Sequence, residues 1–186
     1  MGKSPRHRGQ GRFNQFFASR TVTGTIKIVP LLTPDPGVYV DAIKNLIASA
    51  TKTLFMQYQY IEPPKAADAT SQGFTDLINA VIDRQNNGVE VKIIMSEYET
   101  AGYLEQLQTL GLDVVKNVKI QNNVHNKGIV VDGTTVLVSS QNWSTDGTLY
   151  NRDAGVIIYN ETAAQYFQQI FLHDWNYLAI QQANFD

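Results

Sequence analysis

The sequence contains no cysteine, which excludes disulfide bonds, thiolate nucleophiles and cysteine-ligated metals. It contains no apolar run near the roughly 20 residues that a membrane-spanning helix needs. No apolar segment follows the basic N-terminus, so we expect no signal peptide, and the compartment stays open. We find no glycine-rich phosphate loop and no metal-ligand spacing of His, Asp and Glu, so we expect no metal and no cofactor. The composition, 43% hydrophobic and 17% charged in 186 residues, is typical of one soluble globular domain.

Acidic residues are also missing from one part of the chain. Residues 1–27 contain six basic side chains and no acid, whereas the chain as a whole has 15 Lys and Arg against 17 Asp and Glu. A basic segment can bind the phosphates of nucleic acids or membranes, or it can be a solvated leader. We expect residues 1–23 to be a flexible leader and residues 24–186 to form a single domain. The acidic body argues mildly against a broad nucleic-acid surface.

Hydrophobic periodicity predicts strands that alternate with helices. This order is typical of an α/β fold, here an α/β/α layered domain, and a hairpin makes its central sheet mixed. The predicted helices cover 39–50, 74–82, 103–110 and 162–179, and the predicted strands cover 25–32, 53–61, 89–95, the hairpin within 124–142, and 153–159, with further short strands at 113–116 and 118–120.

The hairpin VHNKGIVVDGTTVLVSSQN (124–142) has two cationic side chains on one strand. A two-residue Asp-Gly turn is the strongest signal in this stretch. With Asp132 and Gly133 as that turn, Lys127 pairs with Val138 and His125 pairs with Ser140. Because side chains alternate along strands, His125, Lys127, Ser140 and Asn142 are then expected on one face, at the open end of the hairpin.

These residue types suit phosphate chemistry. Lysine supplies a point charge for a phosphate, and Ser and Asn supply neutral donors. Histidine can act as a nucleophile or as a general acid near neutral pH. Asp153, at the start of the next strand, can orient His125. Asp132 and Gly133 lie too far along the hairpin, so we interpret both as structural. The alternative for His125 and Lys127 is an incidental solvated strand end.

The spacing carries a family resemblance. HNKGIVVD (125–132) fits His-x-Lys-x4-Asp, and SQNWSTDGTLYNRD (140–153) contains the Ser-x-Asn and Asn-x-acid elements that follow it. The combination resembles one half-site of the phospholipase D superfamily. The segment RFNQFFASRTVTGTIKIVPLLTPDP (12–36) resembles the joint that opens the second half of two-motif bacterial members. The chain therefore resembles either an excised C-terminal half or a single-motif dimeric member.

The resemblance implies a role for each motif residue. His125 is expected to be the nucleophile that forms a phosphohistidine, or the acid that protonates the leaving group. Lys127 and Asn142 are expected to bind the phosphate, with Ser140 supporting them, and Asp153 to orient His125. Relatives commonly have glutamate where this chain has Asp153. The shorter side chain requires a closer backbone or a bridging water.

The resemblance also implies a second half-site, which this sequence does not contain. A homodimer or a missing N-terminal half would supply it. The expected function is metal-independent hydrolysis or transfer of a phosphodiester, with phospholipid as the favoured substrate. An endonuclease that acts as a homodimer is the alternative, and an inactive half-domain that needs a partner half-site is a second one.

Several residues outside the motif invite a functional interpretation, but a structural one is favoured for each. We expect Trp143 and Trp175 in the core, and core packing rather than a pocket wall for Tyr58 and Tyr60. We place His173 and Asp174 on a helix face or interface, and Glu97 and Glu99 in a solvated loop.

Overall fold

The computed structural model describes residues 17–65, 68–97 and 100–181. Most of the predicted leader lies outside these ranges. From residue 17 to residue 23 the chain is irregular and mostly exposed. Within the described ranges no helix is long and apolar enough to cross a membrane.

One sheet forms the centre of the fold. Its seven strands lie in the order β1-β7-β6-β5-β2-β3-β4. Strands β2, β3 and β4 are parallel to one another, and the remaining pairs are antiparallel, so the sheet is mixed as predicted. The strands are β1 (Lys27–Leu32), β2 (Thr53–Tyr58), β3 (Glu90–Met95), β4 (Val118–Ile120), β5 (Lys127–Val131), β6 (Thr135–Ser139) and β7 (Ala154–Tyr159).

Helices cover both faces of the sheet, which confirms the layered α/β/α architecture. The larger core cluster joins one face to helices α1 to α4 and includes Ile43, Phe74 and Leu104. The smaller cluster joins the other face to α5 through Ala164 and Phe171. The helices are α1 (Val38–Ala48), α2 (Gln72–Asn86), α3 (Thr100–Leu110), α4 (Val114–Asn117) and α5 (Glu161–His173), with π-helical turns at Asp146–Tyr150 and Asp174–Leu178.

The predicted elements differ most from the structure at two places. The segment 113–116, predicted as a short strand, instead supplies the N-cap and first three residues of α4, because the side chain of Asp113 accepts a hydrogen bond from the N–H of Lys116 at 3.0 Å and caps the helix. The last helix, predicted to reach residue 179, ends at His173. A π-helical turn from Asp174 to Leu178 follows it.

The predicted hairpin register was wrong by one residue. Asp132 (φ 51°) and Gly133 (φ 66°) do form the turn, and the N–H of Thr134 donates to the carbonyl of Val131 at 3.0 Å. However, Val131 pairs with Thr135 and Lys127 with Ser139. Thr134 is an extra residue after the turn, a bulge that shifts every later pair. Ser139, rather than Ser140, therefore shares a sheet face with Lys127.

Candidate functional site

The motif residues meet at one edge of the sheet, where the parallel strands β2, β3 and β4 end. His125 comes just before β5, Ser140 and Asn142 just after β6, and Asp153 just before β7. Because β5 and β7 run opposite to β2 and β6, their first residues lie at this same edge. Ligands of open α/β sheets bind outside the carboxyl ends of parallel strands, and this edge has that position.

Lys127 and His125 are in direct contact. The Nζ atom of Lys127 donates to the carbonyl of His125 at 2.6 Å and lies 3.2 Å from its Nδ1 atom. Because an ammonium group can only donate, Nδ1 accepts, and the proton of the neutral imidazole lies on Nε2. His125 is exposed, whereas the side chain of Lys127 is only 7% exposed. The imidazole therefore faces solvent above a buried cation.

Two opposing effects act on Lys127. Its burial disfavours the charged form and lowers the pKa of the ammonium below the ordinary value of 10.5. The negative charge of Asp153 opposes this shift and raises the pKa, but burial is the larger effect. The site thus holds a poorly solvated cation whose burial Asp153 offsets only in part, and such a cation favours the binding of an anion.

Asp153 contacts Ser140 rather than His125. Its Oδ1 atom accepts a hydrogen bond from Oγ of Ser140 at 2.6 Å, and the same hydroxyl accepts from the N–H of Ala154 at 3.1 Å. The backbone of Asp153 forms hydrogen bonds with Thr33: its carbonyl accepts from the N–H of Thr33, and its N–H donates to Oγ1 of Thr33. Within the described ranges, no hydrogen bond joins Asp153 to His125. The orienting role of Asp153 therefore stays a prediction, while its charge acts on Lys127.

Asn142 is held by the turn that follows it. Its carbonyl accepts from the N–H of Ser144 at 3.1 Å, and its side chain is half-buried. Gly147, in the first π-helical turn, lies so close that a Cβ atom there would be 2.2 Å from the carbonyl oxygen of Asn142. Only glycine permits this approach, so Gly147 is a structural requirement of the site that the motif did not reveal.

Asp132 and Gly133 lie at the opposite end of the hairpin. The carboxylate of Asp132 accepts hydrogen bonds from the backbone N–H groups of Thr51, Lys52 and Thr53 and from the hydroxyl of Thr51, at 2.7 to 2.9 Å. Partial burial raises the pKa of Asp132, but these hydrogen bonds outweigh it and lower the pKa. Asp132 therefore joins the hairpin to the loop before β2.

A polar network that the sequence analysis missed supports the site from the α5 face of the sheet. Nδ2 of Asn126, between His125 and Lys127 in sequence, donates to Oε1 of Gln57 at 2.6 Å. Nε2 of Gln57 donates to Oδ2 of Asp174 at 3.2 Å. Gln57 is only 7% exposed. The sequence of β2 does not indicate that the side chain of Gln57 contacts Asp174 at the end of α5.

The remaining candidates lie mostly in structural positions. Trp143, Trp175 and Tyr58 are buried, as expected for the core, and Tyr60 is half-buried with its ring 6.3 Å from that of Tyr103.

The carboxylate of Glu97 accepts hydrogen bonds from the N–H of Asn123 at 2.8 Å and from the hydroxyl of Ser96. These bonds connect the loop after β3 to the loop before His125. Glu99 lies outside the described residues.

Nδ1 of His173 lies 3.7 Å from Oδ1 of Asp174 at the end of α5. Within the described ranges, no group of His, Asp and Glu could hold a metal ion.

Comparison with known proteins identifies the class. A family described as cardiolipin synthase, PLD-like domain, matches residues 43–175. The chain therefore belongs to the phospholipase D-like family. The match runs from the middle of α1 to just past the end of α5 and includes every motif residue of the sheet edge.

Among curated proteins, the envelope phospholipase of vaccinia virus (strain Western Reserve) is 27% identical over 147 residues, which is 73% of this chain and 38% of the relative. Mitochondrial cardiolipin hydrolase of Xenopus tropicalis is 31% identical over 102 residues, 53% of this chain and 48% of the relative. The chain thus spans less than half the length of these curated relatives.

Solved structures share the fold. Nuc of Salmonella typhimurium, a phospholipase D family member, superposes with a TM-score of 0.68 at 20% identity, covering 86% of this chain and 100% of Nuc. Phosphatidylserine synthase of Haemophilus influenzae gives a TM-score of 0.61 at 16% identity, over 86% of this chain and 40% of that enzyme.

Proposed function

We propose that this chain supplies one half-site of a metal-independent phosphodiesterase of the phospholipase D type. The observation that carries the proposal is the buried ammonium of Lys127, which lies 3.2 Å from the imidazole of His125 and within the electrostatic reach of Asp153. A cation placed beside a nucleophilic group binds a phosphate and orients it for attack. The same arrangement has no evident use in a solvated strand end.

The proposed reaction has two steps. Nε2 of His125 forms a bond to phosphorus while the bond from phosphorus to the leaving oxygen breaks, and a histidine of the second half-site gives that oxygen a proton. Water, or an alcohol in a transfer reaction, then forms a bond to phosphorus, and the bond to Nε2 breaks. The second histidine takes up the proton of the attacking hydroxyl. Lys127 and Asn142 hold the phosphate oxygens in both steps.

The ring tautomer sets a requirement for the first step. In a neutral ring, Nε2 carries the proton as long as Nδ1 accepts a hydrogen bond from Nζ of Lys127, 3.2 Å away. A nucleophilic Nε2 needs the proton on Nδ1, so Nζ must leave Nδ1. Phosphate binding supplies the reason, because an anion attracts Nζ more strongly than a neutral ring nitrogen does. His125 is suited to the acid role only as the imidazolium, with both ring nitrogens protonated, because a neutral imidazole does not readily give up its remaining proton.

We propose that a second copy of the chain completes the site. The exposed position of His125 supports this arrangement, because a facing histidine could approach it from solvent. Nuc, which this chain covers over its whole length, supports a unit of this size. A separate N-terminal half is the alternative source of the second half-site.

Phospholipid is the favoured substrate. The names of the curated relatives, a phospholipase and a cardiolipin hydrolase, support it. Outside residues 1–27 the chain is acidic, which disfavours a polyanionic nucleic acid. An endonuclease is the alternative, favoured by the basic residues of segment 1–27, which could follow a nucleic-acid backbone.

The test is hydrolysis of an activated phosphodiester in chelator over a wide range of protein concentration. We expect a rate per chain that rises and then saturates as dimers form. Head-group release from phosphatidylglycerol vesicles would then support the lipid substrate, and nicking of plasmid DNA would support the endonuclease. Turnover that is lost in chelator and restored by a divalent metal contradicts the metal-independent mechanism.

No turnover at any concentration would favour the second alternative, an inactive half-domain. The matched control is His125→Asn, whose exposed position leaves the core unchanged. Activity of that variant at the wild-type level contradicts the catalytic role of His125, whatever the substrate.

A further inference from the structure

A row of polar side chains crosses the sheet beneath the phosphate site. Lys127 pairs with Ser139 on β6, and the register of β2 with β5, extended by one residue, places Tyr58 beside Lys127 on the other side. Paired residues of neighbouring strands have their side chains on the same face. The stem of Lys127 thus lies between the side chains of Tyr58 and Ser139, on the face that packs against α1.

Tyr39 of α1 packs against the same face of the sheet as this row. It is 1% exposed, and burial raises the pKa of its hydroxyl to about 12, although Trp143, Tyr58 and Ser139 all lie close enough to oppose that rise. Asp153 also acts on Tyr39 electrostatically. Hydroxyls with raised pKa stay protonated and neutral at physiological pH, and their oxygens can still accept a hydrogen bond from an ammonium.

Polar atoms of this region are buried without good hydrogen bonds. Nine buried side-chain polar atoms in the described part of the chain have no partner within hydrogen-bonding geometry, and seven of them are here. Buried polar atoms are normally paired, so a cluster of exceptions needs a physical reason. The seven atoms belong to Tyr39, Tyr58, Ser139, Gln141, Asn142 and Trp143.

The space for this cluster comes from a glycine. A Cβ atom on Gly155, the partner of Ser139 on β7, would be 2.8 Å from Cβ of Ser139 and 3.2 Å from Oε1 of Gln141. Gly155 therefore leaves the sheet without a side chain at the position next to Ser139 and the buried Gln141. An apolar core would be filled at this position, because close packing of apolar side chains is stabilising.

We propose that Tyr39, Tyr58 and Ser139 are positioning residues of the phosphate site, which hold the buried stem and ammonium of Lys127 from beneath. The inference rests on the proposed function for its catalytic consequence, but not for the placement of Lys127. Unpaired buried hydroxyls destabilise a fold, and such costs are retained where they serve a site. The cluster is therefore expected to reduce stability while it increases activity.

The test removes single hydroxyl groups and leaves the rings in place. Tyr58→Phe and Tyr39→Phe keep the packing, and Tyr159→Phe, on the exposed far end of β7, is the control. We expect Tm to stay the same or rise by about 2 to 4 °C. We expect kcat to fall about tenfold or more, with KM little changed, because Lys127 is displaced by a fraction of an ångström.

A second readout needs no substrate. The proposed positioning role requires that the oxygen of the Tyr58 hydroxyl faces the ammonium of Lys127. The titration of Lys127, followed by NMR of the labelled lysine, is then expected to shift to lower pH in Tyr58→Phe, because a dipole that favours the charged form is lost. His125 contacts this ammonium and Asp153 acts on it electrostatically, while Tyr58 lies beside the strand position of Lys127 and Tyr39 packs on the same face, so each variant is compared at fixed pH and salt. Tyr159→Phe is expected to leave the titration unchanged.

Unchanged kcat and an unchanged Lys127 titration overturn the proposal. A fall in kcat that is matched by a fall in Tm also overturns it, because that pattern belongs to ordinary core residues. A shifted Lys127 titration in a protein with no turnover on any phosphodiester supports the positioning role and overturns the catalytic function instead.

Discussion

Oδ1 of Asp153 accepts a 2.6 Å hydrogen bond from Oγ of Ser140. The acid of the motif is therefore fixed at the strand end by a hydroxyl of the same motif, and its charge acts on Lys127. Asp153 is therefore an electrostatic partner of Lys127, for which we propose phosphate binding.

Replacement of this charge tests that relationship. Asp153 raises the pKa of Lys127, so Asp153→Asn is expected to lower that pKa further. The alkaline limb of the pH–rate profile, where Lys127 loses its proton, then moves to lower pH. Asp153→Glu keeps the charge and is the control, with a limb near the wild-type position. The same alkaline limb in all three proteins contradicts the account.

The burial of Lys127 has a consequence for stability. Because the pKa of Lys127 in the folded state lies below its unfolded value, the buried charge destabilises the fold at neutral pH. This cost disappears as the pH rises from the lowered pKa toward 10.5. Lys127→Met is therefore expected to be more stable relative to wild type at pH 7 than at pH 10.

Urea unfolding at the two pH values measures this difference, and Lys116→Met, at an exposed lysine of α4, is the control with no such dependence. If the stability of Lys127→Met relative to wild type increases with pH, the result contradicts a lowered pKa of Lys127 in the folded state. Turnover by Lys127→Met is expected to fall at least about a thousandfold, because the phosphate loses its cation.

Asp132 is expected to affect stability but not chemistry. Asp132→Ala leaves four donors of the Thr51–Thr53 segment without an acceptor, and we expect a loss of about 2 kcal/mol in the free energy of unfolding. The pKa of Asp132 is lowered in the folded state, so its contribution is present above an unfolded pKa of 3.8 and is lost as the pH falls through the folded value.

Urea unfolding between pH 7 and pH 3 checks this prediction, and the difference between variant and wild type should shrink in acid. Steady-state rates at a temperature where both proteins are folded should agree within about twofold. A loss of activity in the folded variant assigns Asp132 a direct role at the site.

The network behind the site couples β5 to the end of α5. Gln57→Leu leaves Nδ2 of Asn126 and Oδ2 of Asp174 each with one partner fewer. We expect a loss of about 1 to 3 kcal/mol in the free energy of unfolding. Turnover is expected to fall about tenfold, because Asn126 lies between His125 and Lys127.

The matched control is Gln165→Leu, which removes an exposed hydrogen bond to Glu161 on the outer side of α5. Thermal unfolding and steady-state kinetics of the two variants separate the network from a general effect of glutamine loss. Wild-type kinetics in Gln57→Leu would show that the network is structural only.

The sequence was sufficient for the layered fold and for the group of residues at the sheet edge. Hydrophobic period separates helices from strands, and the distance between His125 and Asp153 in sequence fits one hairpin and the next strand. The register was not predictable in the same way. The Asp-Gly turn was correct, but a bulge at Thr134 has no sequence signal of its own, and it exchanged Ser140 for Ser139 on the face of Lys127.

Long-range polar contacts were beyond sequence reasoning for a related cause. Gln57 lies in a strand and Asp174 at a helix end, 117 residues apart, and no local pattern joins them. The same holds for Tyr39, whose helical periodicity predicts burial but not that its hydroxyl meets Tyr58 and Ser139. Local period reports which side of an element is buried, whereas these contacts depend on how distant elements align.

The most direct test of the central claim is subunit mixing. Wild type and His125→Asn are unfolded together, refolded at fixed total concentration, and assayed on an activated phosphodiester in chelator. If each active site needs His125 from two chains, the rate falls with the square of the wild-type fraction, to about one quarter in an equal mixture. A linear decrease, to about one half, means that each chain acts alone and contradicts the shared site.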